Sequence, residues 1–202
     1  DVFPHDFVNS LLLSGVRAEV WMEPEVTPQN LTQYIGRFYQ QSNPQGKVAL
    51  VLGAGNVNSI APIDFIGKLV HDGEVVICKL NPVNDYIYDV ICKTYAPLID
   101  AGYLRIVTGG ADVGAYLTDH EGVETIHMTG SARTHDAIVF GTGEEGAARK
   151  ARNETRINKP MTSELGGIGP VIVVPGPWTD ADLRHHAESI ISMKLGNDGF
   201  TC

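Results

Sequence analysis

The chain has 202 residues, 43% of them hydrophobic and 19% charged, a balance that suits a soluble globular protein of one large or two small domains. A formal net charge of −9 argues against a nucleic-acid or anionic-membrane partner, which needs clustered Lys and Arg; the one basic cluster, Arg149, Lys150 and Arg152, is interrupted by Ala151 and followed by Glu154. No apolar run approaches a membrane span, the first residues lack a signal segment, and Cys78, Cys92 and Cys202 show neither paired nor metal-ligand spacing, so a cytoplasmic protein with reduced thiols, no membrane contact and no metal is expected.

In chain order, residues 1–26 are mixed, with Val16 to Met22 as a candidate strand ended by Glu23, Pro24 and Glu25. Thr27 followed by Pro28 reads as an N-cap with proline at the first helical position, and Leu31, Tyr34, Ile35 and Phe38 recur at helical spacing up to Ser42 and Asn43. Lys47 to Leu52 is a short apolar run ending in Gly53, Ala54, Gly55 and Asn56, before an amphipathic segment from Ile60 to Val70. Strand, glycine-rich turn and helix is the order of a mononucleotide-binding unit. The beat repeats: strand Glu74 to Cys78 leading to Lys79, helix Val83 to Ile99; strand Leu104 to Val107, then Thr108, Gly109, Gly110 and a helix around Val113 to Leu117; strand Thr125 to Met128, then Thr129, Gly130, Ser131 and a helix to Val139. Gly141 to Asn153 reads as a mobile loop or a frayed helix. Four strands alternating with helices predict an α/β fold, a Rossmann-like, mainly parallel sheet with helices on both faces and ligands at the carboxyl ends of the strands.

The last stretch carries a carboxylate and a thiol, each beside glycines: Glu164 opens Glu164, Leu165, Gly166, Gly167, and Cys202 closes Gly196 to Cys202. Between them an apolar run, Val171 to Val174, reads as a strand and Thr179 to Leu195 as a helix, an order that returns both groups to one side of the fold. A thiolate can attack an electrophilic carbon while a carboxylate readies water to clear the intermediate. Plainer readings stand beside these: a small core residue for Cys202, a capping or solvated carboxylate for Glu164, a turn residue for Asn56, a strand-end lysine for Lys79, a helix cap for Ser131. His185 and His186, neighbours on a helix, face different ways and do not make a metal site.

Four landmarks in order give residues from about 45 to 202 a likeness to a known family. The turn Gly53, Ala54, Gly55, Asn56, the lysine closing Val75, Val76, Ile77, Cys78, Lys79, the run Met128, Thr129, Gly130, Ser131, and Glu164 to Gly167 followed 38 positions on by Cys202 resemble the NAD(P)-dependent aldehyde dehydrogenase superfamily. The resemblance implies Cys202 as nucleophile, Glu164 as general base and Asn56 as the amide holding the oxyanion. It implies NAD or NADP as cofactor, with Lys79, Gly53, Gly109, Gly130, Ser131 and Leu165 around it, and a small-molecule aldehyde as substrate. Residues 1–165 would form the cofactor-binding domain and 166–202 the start of the catalytic domain, whose remainder would lie beyond Cys202 in a homodimer or homotetramer. A non-catalytic nucleotide-binding relative, or an inactive fragment, is the alternative. The departures are Ala54 and Gly55 in place of the family's Pro-Trp, Pro82 where many members carry a ribose-binding glutamate, and His135 in place of a glycine.

Overall fold

The computed structural model describes residues 2–167 and 169–200. The chain divides into two units, Asp1–Pro44 and Gln45–Cys202. In the first, α1 (Phe7–Leu12) starts at Asp6, whose side chain accepts from the Asn9 N–H. Val16 to Met22 is not a strand; one antiparallel bridge joins Ala18 to Phe3. The helix expected from Thr27 is instead two 3-10 turns, Leu31–Gln33 and Arg37–Gln40. The Thr27 N–H donates to Asn30 Oδ1 and the Asn30 N–H to Thr27 Oγ1, a reciprocal pair of the kind that can open a helix. One local feature stops the helix: Gly36, at φ 58°, turns the chain out of the right-handed region.

The second unit is built on β1 (Val48–Leu52), α2 (Ile60–His71), β2 (Val75–Lys79), α3 (Tyr88–Thr94), α4 (Ala96–Asp100), β3 (Leu104–Val107), α5 (Ala111–Asp119), β4 (Thr125–Gly130), α6 (Ala132–Val139), α7 (Gly143–Ala151), β5 (Met161–Leu165) and α8 (Asp180–Leu195). Among the described residues the five strands make one sheet of order β3-β2-β1-β4-β5, parallel throughout. β1 is central because its apolar residues serve both faces. Ala49 and Val51 join Val76, Cys78, Leu104 and Ile106 under Ala61 and Phe65 of α2 and Ile91 of α3. Leu50 joins Val123 and Ile126 on the other face, with Leu117 of α5 against them. Period-2 alternation thus sends successive residues of one strand into two cores, as a sheet covered on both faces requires.

Several expected elements changed. The helix expected over Val83 to Ile99 is a 3-10 segment, Pro82–Ile87, followed by α3 and α4. Pro97 is accommodated in the first turn of α4, where a missing N–H costs nothing, and would break a continuous helix. Gly141 to Asn153 contains a regular helix, α7, with Glu144 and Glu145 in its first turn and Arg149 and Lys150 in its last, each matched to the local end of the helix dipole. β5, absent from the sequence reading, pairs with β4 from Ile126↔Met161 to Gly130↔Leu165. Val171 to Val174 enters no ladder, and Ile172 is 82% exposed. The helix expected over Thr179 to Leu195 forms as α8, capped by a box in which Thr179 and Asp182 each bind the other's backbone N–H.

Phe65 is fully buried and meets Tyr95 edge-to-face with ring centroids 4.8 Å apart. Phe65→Ala is expected to lower unfolding free energy by about 3–5 kcal/mol, while Ile172→Ala changes it by no more than about 0.5 kcal/mol. Urea unfolding of the two variants side by side checks this, and equal losses would refute the burial assignment.

Candidate functional site

The carboxyl ends of β1, β2, β4 and β5 open on one cavity of about 920 Å³. Gly53 to Asn56 after β1, Lys79 to Val83 after β2, Met128 to Ala132 across the end of β4, and Glu164 to Gly166 at the end of β5 line it, with Gly110, Gly114 and Thr118 of the α5 region on one wall. Of the residues singled out in the sequence, Asn56, Glu164, Lys79, Gly53, Gly130, Ser131 and Leu165 are brought together here. Gly109 is not among the lining residues; it turns the chain at φ 134°, where an added Cβ would strike Val113, and leaves the wall to Gly110. Cys202 lies outside the described residues. The segment leading to it reaches the cavity, since Gly199 and Phe200 line it and Asn197 Nδ2 donates to the Asn56 carbonyl at 2.9 Å. A smaller hollow of about 390 Å³ is lined by Asp180, Ala181, Arg184, His185 and Glu188 and gathers none of these residues.

The bare walls have a steric cause. A Cβ on Gly53 would sit 2.9 Å from the Ala61 Cβ, so glycine lets the turn close on α2. At Gly114 a Cβ would make only ordinary contact, 3.8 Å from the Lys79 stem, which lies along this small-residue wall. Lys79 is only 6% exposed, and its Nζ donates to the Leu80 carbonyl at 3.0 Å. Burial holds its pKa below the ordinary lysine value, against the carboxylates of Asp85 and Asp112, which favour the charged form. Ser131 caps α6 by accepting from the Thr134 N–H at 3.1 Å and also faces the cavity, so its two readings hold together. His135 turns aside, with Nδ1 3.3 Å from Asp136 Oδ1 and its ring against Phe140, and does not line the cavity.

Three contributions escaped the sequence reading. Ala111, Gly114, Ala115 and Thr118 on α5 continue from Gly110, which the sequence reading had already placed at a strand end, as a stripe of small residues at helical spacing; an apolar-periodicity search passes over such a stripe. Asn81 and Asn84 hold the turn after β1, and the Asn81, Pro82 pair was a readable cap-and-proline signal for them. Arg156 lines the cavity while paired with Asp119 at 2.9 Å.

A parallel sheet whose order reverses beside β1, with a glycine-walled crevice at that reversal, defines a dinucleotide-binding α/β protein. The chain belongs to the aldehyde dehydrogenase family, whose model matches residues 22–202. It is 27% identical over 195 residues to aldehyde dehydrogenase family 3 member I1, chloroplastic, of Arabidopsis thaliana, covering 96% of this chain and 32% of the relative. A D-glyceraldehyde dehydrogenase (NADP(+)) of Picrophilus torridus is 26% identical over 168 residues, 82% of this chain and 31% of the relative. Among solved structures, an NAD-dependent aldehyde dehydrogenase from Sinorhizobium meliloti superposes with a TM-score of 0.56 at 26% identity, over 78% of this chain and 28% of that one. A 3,6-anhydro-L-galactose dehydrogenase gives 0.57 at 25% identity, over 77% and 30%. The chain therefore spans about a third of the length of the curated relatives it matches.

Burial pushes the Cys78 thiol up to about 12, with the Asp64 carboxylate adding to the shift and Lys79 opposing it. Iodoacetamide at pH 8 is expected to spare Cys78 in the folded protein and to modify it once urea unfolds the chain; rapid labelling of the folded form, read by peptide mass, would contradict the placement. For Lys79 the folded pKa lies below the unfolded one, so folding is penalised while the amine is charged, and the penalty fades as pH rises through the folded and then the unfolded value. Lys79→Met is accordingly expected to raise the urea midpoint at pH 7, with the gain shrinking in the alkaline range. A lowered midpoint at pH 7 would be the opposite result.

Proposed function

We propose that this chain supplies the cofactor-binding part, residues 1–165, and the opening of the catalytic domain, residues 166–202, of an aldehyde dehydrogenase that oxidises an aldehyde to a carboxylic acid. The observation that carries this is convergence. Asn56, Lys79, Ser131, Glu164 and Leu165 come from four different strand ends, yet line one cavity, and the segment running to Cys202 arrives at the same place.

The residues present suit a dinucleotide. The cavity volume falls in the range of cofactor sites, and its glycines at 53, 110 and 114 leave backbone where a Cβ would meet Ala61, Asp112 or Lys79. Lys79, buried at the end of β2, offers an ammonium whose N–H donors can turn from the Leu80 carbonyl to ribose hydroxyls. Ser131, Gly130 and Leu165 border the opposite side. NAD and NADP are both within this reading, as names among the relatives include an NADP(+) enzyme and an NAD-dependent one. When bound, the cofactor accepts the hydride that the substrate carbon gives up.

The chain's own groups divide the remaining work. The Cys202 thiolate forms a C–S bond to the aldehyde carbon as the carbonyl π electrons move to oxygen, and the Asn56 side-chain amide, with a backbone N–H, holds that oxyanion. Loss of hydride restores the carbonyl as a thioester. Glu164 removes a proton from water, whose oxygen attacks the thioester and expels the thiolate, giving the acid. Glu164 suits this as an exposed residue at the end of an edge strand, reachable by solvent.

The test separates the two half-reactions. In the protein that carries this chain, Glu164→Gln is expected to release about one equivalent of NAD(P)H per site rapidly and then slow by about 10²-fold or more in steady state. Steady turnover at the unsubstituted rate, followed at 340 nm, would remove Glu164 from the role.

A further inference from the structure

The family's Pro-Trp gives way here to Ala54 and Gly55, a pair with much more backbone freedom, yet Asn56 must still present its amide to a fixed point. We propose that Asn84, with Asn81 and Tyr86, is a splint that positions Asn56: the segment after β2 replaces, from outside the turn, the rigidity that Ala54 and Gly55 lack. This rests on the reading of Asn56 as the oxyanion donor.

The splint grips the turn at consecutive points. Gly53 N–H donates to the Lys79 carbonyl at 3.0 Å, fixing the start of the turn to β2. Asn84 is 5% exposed, and its Nδ2 donates to the Ala54 carbonyl at 2.9 Å across 30 residues of chain. The Asn81 amide lies over Gly55, where an added Cβ would be 2.8 Å from its carbon, and it is pinned there because Asn81 Oδ1 accepts from the Val83 N–H at 3.1 Å. Asn58 Nδ2 donates to the Tyr86 hydroxyl at 2.7 Å on the far side. Asn56, which lines the cavity, is thus bracketed by Asn81 and Asn84 before it and Tyr86 after it. Gly55 and Asn81 are a matched pair: a side chain at 55 would displace the amide that caps the 3-10 segment carrying Asn84. Asn84 is a positioning residue, acting through Asn56 and touching no substrate.

The experiment is a double-mutant cycle in the full-length enzyme, with kcat for aldehyde oxidation and NAD(P)H affinity by fluorescence as readouts. Asn84→Asp keeps the shape and removes the donor; kcat is expected to fall about 10-fold to 100-fold with dinucleotide Kd changed less than about 2-fold. Asn56→Ala alone is expected to cost about 10²-fold, and adding Asn84→Asp to it is expected to cost nothing more. An unchanged kcat in Asn84→Asp, or a further loss of the same size in the Asn56→Ala background, overturns the splint. If Asn56→Ala itself leaves kcat intact, the oxyanion reading fails, and the splint falls with it. Tyr86→Phe, at a ring 72% exposed, serves if Asn84→Asp does not fold: a smaller kcat loss that vanishes in the Asn56→Ala background supports the proposal, and no loss or a change in Kd alone overturns it.

Discussion

The parallel pairing of β1 with β4 is the constraint on which the site depends. β1 runs beside β2 on one edge and β4 on the other, from Ala49↔Thr125 to Leu52↔Met128, and the chain reaches β4 only after adding β3 beyond β2. Right-handed crossovers on either side of that reversal send α2 and α5 to opposite faces of the sheet. The connections must then part at the carboxyl end of β1, and the space between them is the cavity. A strand that fed only one core could not sit there, which is why Ala49 and Val51 look one way and Leu50 the other.

Around that opening, polar groups are allotted by burial. Under α2, β4 presents Thr125, His127 and Thr129: Thr125 Oγ1 donates to Glu74 at 2.9 Å, Thr129 Oγ1 to Asp64 at 3.1 Å, and His127 Nδ1 lies 2.8 Å from Thr162 Oγ1 while its buried Nε2, without a hydrogen bond, sits 3.5 Å from Asp64 Oδ1. Such a seam is structural, since its members spend their hydrogen bonds on one another. At the cavity the reverse holds. Lys79 is buried with only a carbonyl to bind, its charge disfavoured, and Asn56 lines the cavity with its carbonyl accepting from Asn197. Groups held in place but left short of partners are what a polar ligand can use.

Much of the sheet was legible because buried parallel strands are short apolar runs. β1, β2, β3 and β4 were all read within a residue or two, and the glycine-rich turns after them marked the ligand end. β5 was not, because Met161, Thr162, Ser163, Glu164 and Leu165 form an edge strand whose middle three residues are exposed, and hydropathy alone does not distinguish it from a loop. Val171 to Val174 misled in the opposite sense: the run is apolar, yet it stays out of the sheet. Lys79 and Ser131 were singled out at strand ends, and both line the cavity. Asn84 was hidden because its role is set by a contact 30 residues away, which no local pattern encodes. Gly146 in α7 shows the same limit, as the close approach of Gly141 there demands glycine in a helix that its composition disfavoured.

A dinucleotide seated across the ends of β1, β2, β4 and β5 is the central claim, and amide chemical shifts report on it most directly. Titration of the isotope-labelled protein with NAD and with NADP should move the backbone signals of Gly53, Lys79, Gly110, Ser131 and Leu165 together, leaving the Glu74 and Thr125 seam and the Asp180 to His185 hollow in place. Shifts confined to those other regions, or none with either nucleotide at millimolar concentration, would contradict it.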